Sequence, residues 1–140
     1  MKFTEKPLLK SLSEIKKTTA GSIGTLGEET AVKTLKKHGY KILERNFKAK
    51  MGEIDIIAKD GEYTCFVEVK LRKRNDFGSP ADAIDWAKRR RIINTAKLYA
   101  LSKNIYDTPM RFDAVLINAD TANGSLRNES IEIIKDAFRL

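Results

Sequence analysis

Gly52-Glu53-Ile54-Asp55-Ile56-Ile57-Ala58, with Phe66-Val67-Glu68-Val69-Lys70 a few residues on, is the stretch on which the fold turns. Both halves are short, rich in Ile and Val, and alternate with a period of two, so each reads as a β-strand. Asp60-Gly61 between them is a strong signal for a two-residue hairpin turn. That turn sets Lys59 opposite Glu62, Asp55 opposite Phe66 and Glu53 opposite Glu68. Because side chains alternate across a strand, Glu53, Asp55, Glu68 and Lys70 then leave the hairpin on one face. Asp55 and Glu68 become diagonal neighbours about 7 Å apart, a gap that one metal ion could close. A slip of one residue would send one strand's charges to the other face.

Three carboxylates and an ammonium are an expensive choice for the most apolar hairpin of a chain. Like charges facing each other destabilise a sheet, and a buried charge without compensation costs several kcal/mol. Two readings account for them. In the first, Lys70 pairs with Glu68 on a wet sheet edge. In the second, the carboxylates are ligands for a hard divalent cation, Mg²⁺ or Mn²⁺, which prefers oxygen donors. No His or Cys adjoins the cluster to argue for zinc.

The chain has 140 residues, enough for one domain with a real core. No apolar run reaches the length of a membrane span, and no signal-peptide core follows Met1, so a cytoplasmic protein without a membrane partner is expected. Cys65 is the single cysteine and reads as a small core residue. The net charge of +8 suits a polyanionic partner, nucleic acid first among them. More than half of that charge lies between Lys70 and Arg91, where Lys70, Arg72, Lys73, Arg74, Lys88, Arg89, Arg90 and Arg91 face only Asp76, Asp82 and Asp85. The basic segment therefore leaves directly from the carboxylate hairpin.

Residues 1–22 read as a basic extension ending in a Thr18-Thr19-Ala20-Gly21 linker, and residues 23–140 as the domain. A helix follows and stops at Gly39, with Ala31, Val32 and Leu35 facing inward. Glu28 shares that apolar stripe. It is either half of a Thr25-x-x-Glu28 capping box or a fourth carboxylate directed at the cluster. Tyr40–Phe47 makes the first strand, the hairpin makes two more, and 72–78 is a basic loop. Ser79-Pro80 opens a long helix to Ser102. Lys88 lies on its inner stripe, either snorkelling to solvent or aimed at a phosphate, and Trp86 is a packing residue. Arg111–Ile117 is a near-continuous apolar strand, expected inside the sheet and parallel to the Glu68 strand. Asp120–Asn128 reads as a loop, Ile131–Ile134 as a last strand, and Ala137-Phe138 as a return to the core. The order α-β-β-β-α-β-β gives an α/β fold, a mixed sheet flanked by helices.

Asp55, then Glu68 and Lys70, resembles the PD-(D/E)xK signature of restriction-endonuclease-like nucleases. Around it, Gly27-Glu28-x-x-Ala31-x-x-x-Leu35, Gly39-Tyr40-x-Ile42-Leu43-x-x-Asn46, Gly52-Glu53-Ile54-Asp55-x-Ile57-Ala58 and Phe66-Val67-Glu68-Val69-Lys70-x-Arg72 resemble the YraN family, relatives of archaeal Holliday-junction resolvases. Arg111-Phe112-Asp113 and Ala137-Phe138 fit the same pattern, so the resemblance spans about Gly24 to Phe138. It implies a restriction-endonuclease-like fold with Asp55, Glu68 and Lys70 as active-site set, joined by Glu28 as the helix-borne acid. Gly-Glu-Ile-Asp replaces the usual Pro-Asp, which leaves Glu53 without an assigned role. The expected activity is metal-dependent hydrolysis of DNA, branched or flapped DNA included. Asp55, Glu68 and Glu28 would hold Mg²⁺ or Mn²⁺, and Lys70 would orient water or meet developing charge. Arg72, Lys73, Arg74 and Lys88 would grip phosphates. Junction cleavage by paired cuts would call for a homodimer. The competing expectation is a nucleic-acid-binding module or an adaptor in DNA repair or uptake, with a silent site.

Overall fold

The two quoted stretches become neighbouring strands of one five-stranded sheet. The computed structural model describes residues 19–73, 84–122 and 125–139. In chain order the elements are α1 (Thr19–Lys37), β1 (Lys41–Ala49), β2 (Gly52–Asp60), β3 (Tyr63–Lys73), α2 (Trp86–Ser102), β4 (Met110–Ala122) and β5 (Ser125–Ile134). The sheet order is β1-β2-β3-β4-β5. β3 and β4 run parallel, and every other neighbouring pair is antiparallel. This is the restriction-endonuclease-like arrangement expected, with β3 at the centre.

Each helix covers one face. Ala31, Val32 and Leu35 of α1 pack on Ile56, Ala58, Cys65, Val67, Val115 and Ile117. Ile92, Ile93, Ala96 and Tyr99 of α2 pack on Ile54, Ile57, Phe66 and Ala114, and Phe138 closes that side. The Tyr99 ring meets Phe47 and Phe66 edge-on at 5.2 and 5.8 Å, a favoured aromatic geometry. Cys65 is buried, and its apolar setting pushes the thiol up to about 12.

The hairpin register differs from expectation by two residues. Asp60 pairs with Tyr63 and Lys59 with Thr64, so the turn residues are Gly61 and Glu62. Gly61 takes φ 62° at the first turn position, a conformation cheap only for glycine. A two-residue shift keeps each side chain on its face, so the faces survive although the pairings change. Alternation does break in β2: Ile54 and Ile57 pack toward α2, while Ile56 and Ala58 pack toward α1. The β2–β3 ladder ends at Ile56–Val67, and the Asp55 carboxylate accepts a hydrogen bond from the Val69 amide at 2.9 Å. β2 thus parts from β3 at Asp55.

Other boundaries move as well. α1 already includes Thr19–Gly21, read as linker. Thr25 is consequently inside the helix, and the capping box does not form. Its C-terminus follows expectation: Gly39, at φ 88°, donates to the Lys36 carbonyl and Tyr40 to that of Leu35, a Schellman end. α2 begins at Trp86, with Asp85 as N-cap accepting from the Lys88 amide at 2.8 Å, in place of Ser79-Pro80, which lie outside the described residues. Trp86 is 74% exposed instead of packed. Arg72 and Lys73 extend β3 and do not begin a loop, and most of 120–128 continues β4 and β5. Arg74 and the apolar positions of the basic extension fall outside the described residues. No helix among the described residues is long and apolar enough to cross a membrane.

A buried polar network ties the turn end of the sheet together. Asp113 is fully buried; it accepts from Tyr40 Oη at 2.8 Å, Arg111 Nε at 2.8 Å, Arg111 Nη2 at 2.9 Å and the Asp136 amide at 2.9 Å. Arg111 Nη2 also reaches Asp60 at 2.6 Å, and Lys135 joins Asp60 at 3.0 Å. Hydrogen bonds from these two cations hold the Asp60 carboxyl below its usual range.

Candidate active site

Where β2 leaves β3, both helices reach the sheet edge and an open cleft of about 370 Å³ forms. Glu28 enters it from α1, Asn46 and Lys48 from β1, Glu53 and Asp55 from β2, and Lys88 from α2. Gly27 lies against Ile117 and Leu71, at 3.9 and 4.0 Å for a built Cβ, which seats Glu28 over the sheet end. Asn46 holds φ 52° within β1, a left-handed conformation that Asn tolerates better than most residues. Its side chain hydrogen-bonds Glu28.

Glu68 projects from β3 at the base of this region and is 3% exposed. Its carboxylate forms an ion pair with Lys88 Nζ and faces the Asp55 carboxyl. Oε2 has no hydrogen bond of ordinary geometry, so the Lys88 ammonium is its compensating group. Lys88 therefore does something neither expected alternative contained: it turns inward to a carboxylate and remains partly exposed.

Proton affinities follow from this crowding. Burial, then the hydrogen bond and charge of Asp55, push Glu68 up to about 8, and Lys88 only partly opposes them. Burial and the charge of Asp55 also raise Glu28, against Arg45 and Asn46. Desolvation works against the Lys88 ammonium, yet Glu68, with Asp55 and Glu53, raises its pKa on balance. Unfolded Glu68 ionises near 4.5, whereas folded Glu68 keeps its proton to about 8. Between those values the folded state binds more protons, so stability falls as pH rises. Urea unfolding across this range should show that decline, and Glu68→Gln should flatten it. An unchanged slope in the variant would remove Glu68 as its source.

The structure thus brings together Glu28, Asp55, Glu68 and Lys88. Lys70 is two residues beyond Glu68 on the same face of β3, half-buried, and does not line the cleft. Arg72 is half-buried on β3, and Lys73 ends that strand. The sequence reading gave no role to Asn46 or Lys48. Asn46 carried a usable signal, a polar residue tolerant of positive φ within a strand; Lys48 carried none. Among the described residues no three His, Cys, Asp or Glu side chains are grouped closely enough to enclose a metal ion.

The family model described as Uncharacterised protein family UPF0102 matches residues 27–117, which include every cleft acid. The chain belongs to the UPF0102 family. A UPF0102 protein of Clostridium kluyveri is 45% identical over 118 residues, covering 84% of this chain and 94% of that protein. One from Clostridium botulinum strain Hall is 45% identical over 119 residues, with the same coverages. One from Clostridium perfringens is 44% identical over 119 residues, covering 85% of this chain and 95% of its own. These near full-length matches make the domain itself, including cleft and sheet, the unit this chain shares with other UPF0102 proteins.

Proposed function

We propose that this UPF0102 protein is a metal-dependent nuclease that hydrolyses phosphodiester bonds in DNA. The observation carrying this reading is that Glu28 and Asp55, from α1 and β2, line one cleft where the central sheet opens, and that Glu68 of β3 interacts with Asp55 beside it. Crowding like charges raises proton affinity and destabilises the folded protein, so the arrangement needs a compensating role. The restriction-endonuclease-like fold and the resemblance to the YraN family, and through it to junction resolvases, support the same chemistry.

The donor set fits a hard divalent cation. Its atoms are carboxylate oxygens, and Glu68 Oε2 is buried without an ordinary hydrogen bond. Asp55, Glu68 and Glu28 would hold Mg²⁺ or Mn²⁺, which when bound supplies charge neutralisation at phosphate and a water of lowered pKa. Asp55 is fixed for this role by the Val69 amide, and Glu28 by Asn46. Lys88 pairs with Glu68 and orients it from the opposite helix. Lys70 would meet charge developing on the phosphate oxygens, and Arg72, Lys73 and Arg74 would hold flanking phosphates without reading sequence. Paired cuts across a junction would use two copies of the chain.

A second reading rests on the Lys88–Glu68 ion pair, which already neutralises the most buried of the three candidate ligands. A DNA-binding module or adaptor with a silent site would keep that pair permanently. Cleavage of labelled single-stranded, flapped and four-way-junction DNA in Mg²⁺ or Mn²⁺, abolished by chelator, is the expected result. DNA shifted by the protein but uncut in either cation would favour the second reading.

A further inference from the structure

Beside the acidic cleft lies a second one, of about 550 Å³, between the β1–β2 turn and α2. Lys48, Lys50, Met51, Gly52, Lys88 and Arg91 line it, with Glu53. Lys48, Glu53 and Lys88 line both clefts, so the two are continuous. Lys48, Lys50 and Arg91 are exposed, and among the described residues no carboxylate pairs with any of them. A solvated lysine run normally lies on a mobile surface, but this one is held in place. Ala49 pairs with Gly52, leaving Lys50-Met51 as a tight turn. A Cβ at Gly52 would stand 3.0 Å from Thr95 Oγ1 and 3.3 Å from Arg91 Cβ, so the turn is pressed on α2. Thr95 Oγ1 in turn donates to the Arg91 carbonyl at 2.7 Å.

Resting on the nuclease reading, we propose that this second cleft binds the phosphodiester backbone of the DNA on one side of the bond to be cut. Lys48, Lys50 and Arg91 reach in from two elements fixed against each other, and among the described residues their charge has no carboxylate partner. Lys48 and Lys88 carry the positive lining up to the carboxylates, which gives a strand a continuous path to them. Met51, 43% exposed at the tip, adds an apolar surface for a base or sugar. The sequence placed the phosphate grip at Arg72, Lys73 and Arg74, together with Lys88, which does line this cleft. The geometry points to the β1–β2 turn and α2, at the same open end of the active-site hairpin, as the principal track.

Fluorescence anisotropy of labelled DNA tests this, with chelator present and Asp55→Ala as the background so that no cutting intervenes. Lys50→Gln with Arg91→Gln should weaken binding about tenfold, and should lower the salt-dependence slope by roughly 0.7–0.9 for each phosphate left without its cation. Lys36→Gln with Lys37→Gln is the charge-matched control, because those residues end α1 away from both clefts. The control should leave affinity and slope nearly unchanged. Equal losses from both pairs, or none from the first, would overturn the proposal. If the first pair loses affinity while the wild type cuts nothing, the track stands and the nuclease reading fails. If the wild type cuts and the first pair binds normally, the reverse holds.

Discussion

Asp113→Ala should cost about 3–5 kcal/mol of stability, the largest structural effect expected in the chain. The carboxylate is fully buried and satisfies Tyr40, Arg111 twice, and the amide of Asp136. Removing it leaves the Arg111 guanidinium, itself largely buried, with Asp60 as its remaining acid. It also leaves the buried Tyr40 hydroxyl, which still accepts from Arg111 Nη2, without an acceptor for its proton; burial and then the bond to Asp113 raise that phenol's pKa. Urea denaturation at neutral pH measures the loss, and Asp113→Asn, which keeps the shape and one acceptor, should lose less. A change below about 1 kcal/mol in the alanine variant would mean that the network relaxes without it. Asp60, which shares this network, lies about 17 Å along β2 from Asp55, so the network holds the sheet and takes no part in the cleft.

Glu68→Gln should lower cleavage by roughly a thousandfold or more while leaving a folded protein. An amide keeps the side chain's volume but loses the charge that would face a cation. Glu68 binds its proton unusually well because burial and Asp55 oppose ionisation, so the amide removes a strained group. Lys88 loses its partner, but its side chain is 43% exposed and solvent can take over. Stability near pH 8 should therefore hold or rise as activity disappears. Loss of both together would assign Glu68 a structural role.

Much of the fold was legible because its signals are local. The Ile/Val alternation of β2 and β3, the apolar run of β4 and Gly39 at the helix end each declare themselves over a few residues. The turn was displaced because Asp-Gly and Gly-Glu compete for the same bend, and only Gly61's positive φ decides between them. The acids were legible as a group on one hairpin. Their geometry was not, because it depends on β2 parting from β3 at Asp55, and no single-strand pattern encodes where a ladder ends. Lys88 was seen as a cation on an apolar stripe, yet its partner, Glu68, belongs to a different element. Asn46 shows the same limit: its type hinted at positive φ, but its bond to Glu28 joins two elements.

The central claim is that the carboxylates at the opening of the sheet perform metal-dependent phosphodiester hydrolysis. The most direct measurement sets wild type beside Asp55→Ala on labelled single-stranded, flapped and four-way-junction DNA, each with Mg²⁺ or Mn²⁺. The account predicts cleavage by the wild type, none by the variant, and an undiminished DNA shift by both. Equal cleavage by both proteins, or DNA shifted equally and cut by neither, would contradict it.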